Sequence, residues 1–212
     1  MKKIDPRFKK VLWTEKQITE GTKKLAKWLN KKFKGKCPVL LGVLNGVYPF
    51  YAKLAYYLTF DHENCFIKCE SYINNKKDAQ IKTWWYKKED LKGKDIILVD
   101  ELFDTCTTIT TVIKELKKLK VKSITTVGLL DKPTKHKVKF KPDYVCFKSP
   151  NVFLAGFSLD YNGIMRNLPY IGIVDEKLIK ERSILLRFGV RIFLLLYIKY
   201  ISIIYRRRLW IE

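Results

Sequence analysis

Two stretches of the chain carry apolar residues without polar alternation. Val39-Leu40-Leu41-Gly42-Val43-Leu44 and Ile96-Ile97-Leu98-Val99 read as strands buried on both faces, the pattern of a parallel sheet. Each is followed by helical spacing. Pro49 suits a first turn, and Phe50, Leu54 and Leu58 give that helix an apolar stripe. Beyond the second strand, Ile109, Val112, Ile113, Leu116 and Leu119 fall on one helical face. Upstream, Thr14 with Gln17 reads as a capping box opening a helix lined by Ile18, Leu25 and Leu29. Phe66-Ile67 begins a short strand ending at Ser71-Tyr72, and Ser123 to Leu130 forms another. Tyr144-Val145-Cys146-Phe147, Val152-Phe153-Leu154-Ala155-Gly156 and Ile171-Gly172-Ile173-Val174 complete the set. Residues 73–90 predict a long irregular connection, a length typical of lids, in which Trp84-Trp85 suits packing on the domain or a subunit contact equally well. There is no internal repeat. Strands alternating with helices predict an α/β fold, a mostly parallel central sheet flanked by helices.

Chemistry concentrates at the ends of the two central strands. Asp100 and Glu101 stand at a carboxyl end, where open α/β sheets place their ligands. Asp104-Thr105-Cys106-Thr107-Thr108 follows and runs into a helix. A short loop there presents free N–H groups, and hydroxyls add donors, so the segment predicts a phosphate cradle with acids alongside. An ordinary strand-to-helix turn capped by Asp104 or Thr105 accounts for the same residues. Leu44-Asn45-Gly46 before the Pro49 helix is a second anion site by the same logic.

The chain has 212 residues and a net charge of +22, which brings nucleic acid into consideration. The lysines are scattered, and no RNP-type motif, zinc-finger spacing or basic zipper is present, so no specific nucleic-acid partner is expected. Scattered lysines suit a solvated face or an enzyme handling pyrophosphates. The five cysteines include no CxxC pair, which predicts reduced thiols in a cytoplasmic protein. The N-terminus lacks the apolar core of a signal peptide. Ile184 to Tyr205 is apolar but interrupted by Arg187, Arg191 and Lys199. A spanning helix needs about 20 apolar residues, and each central charge costs about 2.5–3.5 kcal/mol. An amphipathic basic helix on a membrane surface or a partner therefore fits 183–212 better than a span.

The order of these pieces, from about Val11 to Val174, resembles the hypoxanthine–guanine phosphoribosyltransferases of the type I phosphoribosyltransferase family. Leu44-Asn45-Gly46 matches their pyrophosphate loop, Ser71-Tyr72 the start of their mobile lid, and the Asp100 to Thr108 segment their phosphoribosyl pyrophosphate motif. Leu129-Leu130-Asp131-Lys132, Pro150 to Tyr161, and Arg166-Asn167-Leu168-Pro169 match their base-binding and final active-site segments. The resemblance implies a phosphoribosyltransferase domain over 1–182 with a base-binding hood and a lid at about 71–90, and a separate extension over 183–212. It implies purine salvage from phosphoribosyl pyrophosphate and a 6-oxopurine, with Mg²⁺, in a homodimer or homotetramer. The alternatives are the same fold acting on xanthine or another base, or a nucleotide-binding regulator without turnover.

The resemblance also implies residue roles. Asp104 would be the general base toward purine nitrogen-7. Asp100 and Glu101 would hold the ribose hydroxyls and, through water, the metal, with Asp160 ligating a second Mg²⁺. Thr105, Cys106, Thr107 and Thr108 would hold the 5′-phosphate. Leu44, Asn45, Gly46 and Arg166 would meet pyrophosphate. Phe153 would stack on the base, the Leu154 carbonyl would accept from its edge, and Lys132 would donate to the 6-oxo group. Asp160 would close the purine side.

Three positions depart from the family's pattern. Cys106 stands where glycine is usual, which strains a loop that requires positive φ. Its place at a helix N-terminus predicts a favoured thiolate. The acidic pair is Asp-Glu rather than Glu-Asp, and Asn45 replaces a cation.

Overall fold

The computed structural model describes residues 4–74, 78–85 and 88–175, with side chains from 70 to 89 outside the description. The expected extension over 183–212 lies outside the described residues. The chain divides into one unit of residues 10–173 and a second formed by its two ends. In the second unit, Arg7 bonds Asp5 through Nε at 2.8 Å, and the Asp175 N–H donates to the Arg7 carbonyl at 2.7 Å.

The elements run β1 (Phe8–Trp13), α1 (Glu15–Lys32), β2 (Val39–Leu44), α2 (Tyr48–Ala55), β3 (Glu63–Asn74) and β4 (Asp78–Trp85). They continue with β5 (Asp95–Phe103), α3 (Thr107–Lys118), β6 (Ser123–Asp131), β7 (Tyr144–Lys148), β8 (Leu154–Gly156) and β9 (Ile171–Val174). The main sheet has the order β4-β3-β2-β5-β6-β7, and its β3-β2-β5-β6-β7 pairings are parallel. The α/β architecture expected from the alternating pattern is present. A three-stranded sheet, ordered β1-β9-β8, stands apart from it.

The apolar runs form the centre because both faces of the sheet are covered. Ile97 and Val99 join Leu40 in a cluster with Ile18, Leu25 and Leu29 of α1 and Phe50 and Leu54 of α2. Ile96 and Leu98 join Val39, Leu41 and Val43 in a second cluster with Ile109, Val112 and Leu116 of α3. Each such fully buried side chain contributes roughly 1.5–3 kcal/mol of transfer free energy. The capping box holds, with Gln17 N–H donating to Thr14 Oγ1 and Thr14 N–H to Gln17 Oε1. Leu58 falls just past α2, so that helix is shorter than its apolar stripe suggested.

The region expected to be an irregular connection is different. β3 runs from Glu63 to Asn74 and pairs antiparallel with β4, Ile67 opposite Trp85 and Asn74 opposite Asp78. β-branched and aromatic residues such as Ile81, Thr83, Trp84 and Trp85 favour the strand, and β3 offers them an open edge. Hairpin pairing satisfies backbone groups that a free loop would leave to water.

Candidate active site

The parallel register aligns the carboxyl ends of the central strands. Leu41 and Gly42 of β2 pair with Leu98 and Val99 of β5, and Leu102 and Phe103 of β5 pair with Leu130 and Asp131 of β6. The loops after β2, β5 and β6 therefore open on the same side, as ligand sites of this architecture do.

After β5 the chain turns through Cys106, at φ +61°, into α3. No side chain caps this helix, so the first-turn N–H groups are left for an anion. Neither Asp104 nor Thr105 acts as the cap, and the ordinary-turn alternative loses its premise. Thr105 Oγ1 lies 2.9 Å from Thr107 Oγ1, which gathers the hydroxyls at the same end. A cavity of about 260 Å³ opens here. Leu44, Asn45, Gly46, Asp100, Glu101, Asp104, Thr105, Cys106, Thr108 and Arg166 all line it. Thr107 sits exposed on the rim.

A second cavity, of about 340 Å³, adjoins it and is lined by Lys132, Lys135, Asn151, Val152, Phe153, Leu154, Leu159 and Asp160. Glu101, Leu102, Asp104 and Arg166 belong to both linings and form the common wall. Lys132 is 4% exposed, so it is a pocket residue and not a solvated one. Its Nζ donates to the Val152 carbonyl at 2.9 Å. Burial lowers its pKa, partly countered by the Asp104 charge. Phe153 is 47% exposed and meets Tyr161 edge-on at 5.6 Å, leaving a ring face open toward the cavity it lines.

Charge within the wall is tightly arranged. Arg166 pairs with Asp160 Oδ1 at 2.6 Å, approaches Glu101 Oε1 at 3.8 Å and donates to the Ser158 carbonyl at 2.6 Å. Asp160 Oδ2 accepts from Gly163 N–H at 2.7 Å. Burial, and next the neighbouring Glu101 carboxylate, push Asp100 well above the usual carboxylate range. Burial also raises Glu101, against the opposing effects of its Asp100 hydrogen bond and Arg166. Two desolvated carboxylates side by side favour a cation or hydroxyl donors between them. Glu101 Oε2 and Asp104 Oδ1 are buried without a hydrogen-bond partner.

Cys106 corrects one expectation and bears out another. The position does require positive φ. Its thiol, however, is not activated: it is 3% exposed and its pKa is pushed up to about 12. Burial is the main cause, followed by Asp131, Asp100 and Asp104. The sulfur is turned into the protein among carboxylates, and that outweighs the helix N-terminus. All five cysteines are thiols.

Ser71 and Tyr72 continue β3 from Cys69, which lines the first cavity; their side chains lie outside the description. The sequence reading missed Lys135, 3.4 Å from Asp104 Oδ2, and the His136–Asp131 contact at 2.7 Å. It also missed Ser158, whose Oγ accepts from Phe50 N–H of α2 at 3.0 Å. The available signal was their place within matched segments, Asp131 beside Lys132 and Ser158 beside Asp160.

An uncapped helix N-terminus at the end of a central parallel strand, with paired acids on the wall of two adjoining cavities, is the arrangement of a phosphoribosyltransferase fold. The chain belongs to the phosphoribosyl transferase domain family, which it matches over residues 14–162. Within that family it is similar to hypoxanthine-guanine phosphoribosyltransferases. The Lactococcus lactis protein of that name is 38% identical over 177 residues, covering 83% of this chain and 96% of the relative. That of Mycoplasma genitalium is 37% identical, covering 79% and 97%. Among solved structures, a hypoxanthine phosphoribosyltransferase from Staphylococcus aureus superposes with a TM-score of 0.76 at 31% identity, over 81% of this chain and 94% of its own. The Trypanosoma cruzi enzyme in complex with the product IMP gives 0.77 at 28% identity, over 82% and 98%.

Proposed function

We propose that this protein transfers the 5-phosphoribosyl group of phosphoribosyl pyrophosphate to hypoxanthine or guanine, giving IMP or GMP and pyrophosphate. The observation that carries the reading is Asp104 on the wall shared by an anion cavity and a base cavity. Purine nitrogen-9 attacks the ribosyl C1′ as its bond to pyrophosphate oxygen breaks, through an oxocarbenium-like state. The proton on nitrogen-7 passes to Asp104, whose Oδ1 is a buried acceptor without a partner.

Asp100 and Glu101 take the ribose hydroxyls, and Thr105, Cys106, Thr107 and Thr108 surround the 5′-phosphate. The backbone of Leu44, Asn45 and Gly46, with Arg166, faces the pyrophosphate. On the base side Phe153 stacks, the Leu154 carbonyl accepts from the ring edge, and Lys132 donates to the 6-oxo group. A cationic donor there leaves adenine's amino group badly matched. The residues suit Mg²⁺: Glu101 Oε2 is an open acceptor. Asp100 and Glu101 would hold one ion through water and Asp160 a second directly; when bound, the ions would neutralise charge on pyrophosphate.

Incubation with phosphoribosyl pyrophosphate, Mg²⁺ and each of hypoxanthine, guanine, xanthine and adenine tests this. IMP and GMP should form and AMP should not. Product from xanthine alone would move the substrate, and no product from any base would leave a nucleotide binder. The reading includes a cytoplasmic homodimer or homotetramer, a catalytic domain over 1–182 and a membrane-surface contact through 183–212. Among the described residues no helix is long and apolar enough to cross a membrane. Sedimentation and co-pelleting with anionic vesicles check the assembly and the contact.

A further inference from the structure

The segment following β6 is tied to the loop following β5 at three successive residues. Lys132 N–H donates to the Phe103 carbonyl at 2.9 Å, and Lys137 N–H donates to the Thr105 carbonyl at 3.0 Å. Between them, Lys135 Nζ lies 3.4 Å from Asp104 Oδ2. The donor segment is itself held firmly. Lys135 N–H closes a turn onto the Lys132 carbonyl at 2.9 Å, and His136 Nε2 meets Asp131 Oδ1 at 2.7 Å with both side chains largely buried. Ser149 N–H donates to the Asp131 carbonyl at 2.7 Å. Two lysines therefore face Asp104 from one short turn, but Lys132 Nζ is engaged by the Val152 carbonyl. Among the described residues, Lys135 is the lysine that pairs with a carboxylate oxygen of Asp104.

The two oxygens of Asp104 differ as a result. Oδ2 faces the Lys135 ammonium, while Oδ1 is buried without a partner on the wall between the cavities. A carboxylate turns about χ2 unless one oxygen is held, because that torsion is broad. A cation on one oxygen fixes the orientation of both. We infer that Lys135 is a positioning residue: it holds Asp104 by Oδ2, which fixes the carboxylate's orientation on the wall between the two cavities, and it locks the base-side turn to the phosphate-side loop. This rests on the proposed reaction. The pair is 40% and 36% exposed, so it adds little to stability, and replacing the lysine leaves the fold intact.

The test measures steady-state kinetics with hypoxanthine on the full chain. Lys135→Met keeps the stem and removes the charge. It should lower kcat about tenfold, the scale of a slightly misplaced group, with KM for both substrates changed less than about twofold. Lys135→Arg should restore kcat. In an Asp104→Asn background, Lys135→Met should cost nothing further, since residues acting through one another are not additive. A rise in KM at unchanged kcat would make Lys135 a substrate contact. Unchanged kinetics, or losses that multiply in the double variant, would overturn the inference. Absence of nucleotide product from the unsubstituted protein would instead remove the proposed reaction before Lys135 is tested.

Discussion

The loop after β2 and the loop after β5 occupy equivalent places in the fold, yet they solve close packing differently. Each follows a central parallel strand, precedes a helix and lines the first cavity. At Gly46 the backbone φ is unremarkable, but an added Cβ would overlap Glu101 Oε1 and crowd Arg166. At Cys106 the side chain has room, its sulfur tucked into the second core cluster, while φ is +61°. Glycine is required in one loop for space and is favoured in the other for conformation. A left-handed non-glycine residue costs about 1–2 kcal/mol, which a buried, well-packed sulfur can offset. Overlap with a working carboxylate has no such remedy. The chain can therefore carry cysteine at position 106, while position 46 needs glycine.

The comparison can be broken in five ways. The largest effect is expected at Asp104, because in the proposed reaction the loop after β5 carries the chemistry and the loop after β2 only binds. Asp104→Asn should lower kcat by about 10²–10⁴, the range of a lost general base, with KM for phosphoribosyl pyrophosphate nearly unchanged. Gly46→Ala comes next. Its Cβ can be accommodated only by displacing Glu101 and Arg166, so kcat/KM should drop by about 10²-fold while thermal stability shifts little. A comparable loss of melting temperature would show that Gly46 is needed for folding and not for the site.

Smaller effects distinguish conformation from space at Cys106. Cys106→Val should lower the unfolding free energy by about 1–2 kcal/mol in denaturant titration, since a β-branched residue is poorly tolerated at positive φ. Cys106→Gly should change stability by less than about 1 kcal/mol and keep or raise substrate affinity, because relief of φ offsets the greater freedom of the unfolded chain. A large loss in the glycine variant would assign the loop's shape to packing of the sulfur. The smallest effect is a null: iodoacetamide at pH 8 should label the exposed Cys37 and leave Cys106 intact by mass spectrometry. Thiolate is the reacting form, and at Cys106 it accumulates only as pH rises toward about 12. Rapid labelling of Cys106 at pH 8 would place its sulfur outside the buried, carboxylate-lined setting.

Much of the architecture was legible because it is local. Ile96 to Val99 and Val39 to Leu44 are apolar throughout, the pattern of a strand covered on both faces. The capping box at Thr14 and the apolar face of α3 follow from neighbours along the chain. The loop after β5 was legible for the same reason, since Asp100 to Thr108 is one continuous stretch of sequence running from the strand end into α3. The hairpin of β3 with β4 was not. Its residues have strand propensity, but whether a strand forms depends on an open edge elsewhere in the sheet.

The sequence by itself determined which residue types stand at the ends of which strands, and hence an anion site flanked by acids. Tertiary structure decided what those residues do to one another. Lys135 reaches Asp104, and Gly46 yields space to Glu101, only because the parallel register brings the ends of β2, β5 and β6 together. The thiol of Cys106 is suppressed first by burial and then by Asp131 and Asp100, which belong to β6 and β5. Electrostatic and steric effects act over a few ångströms of space, whatever the distance along the chain. That is why adjacent residues disclosed the loop, while its tuning came from residues that sequence order keeps apart.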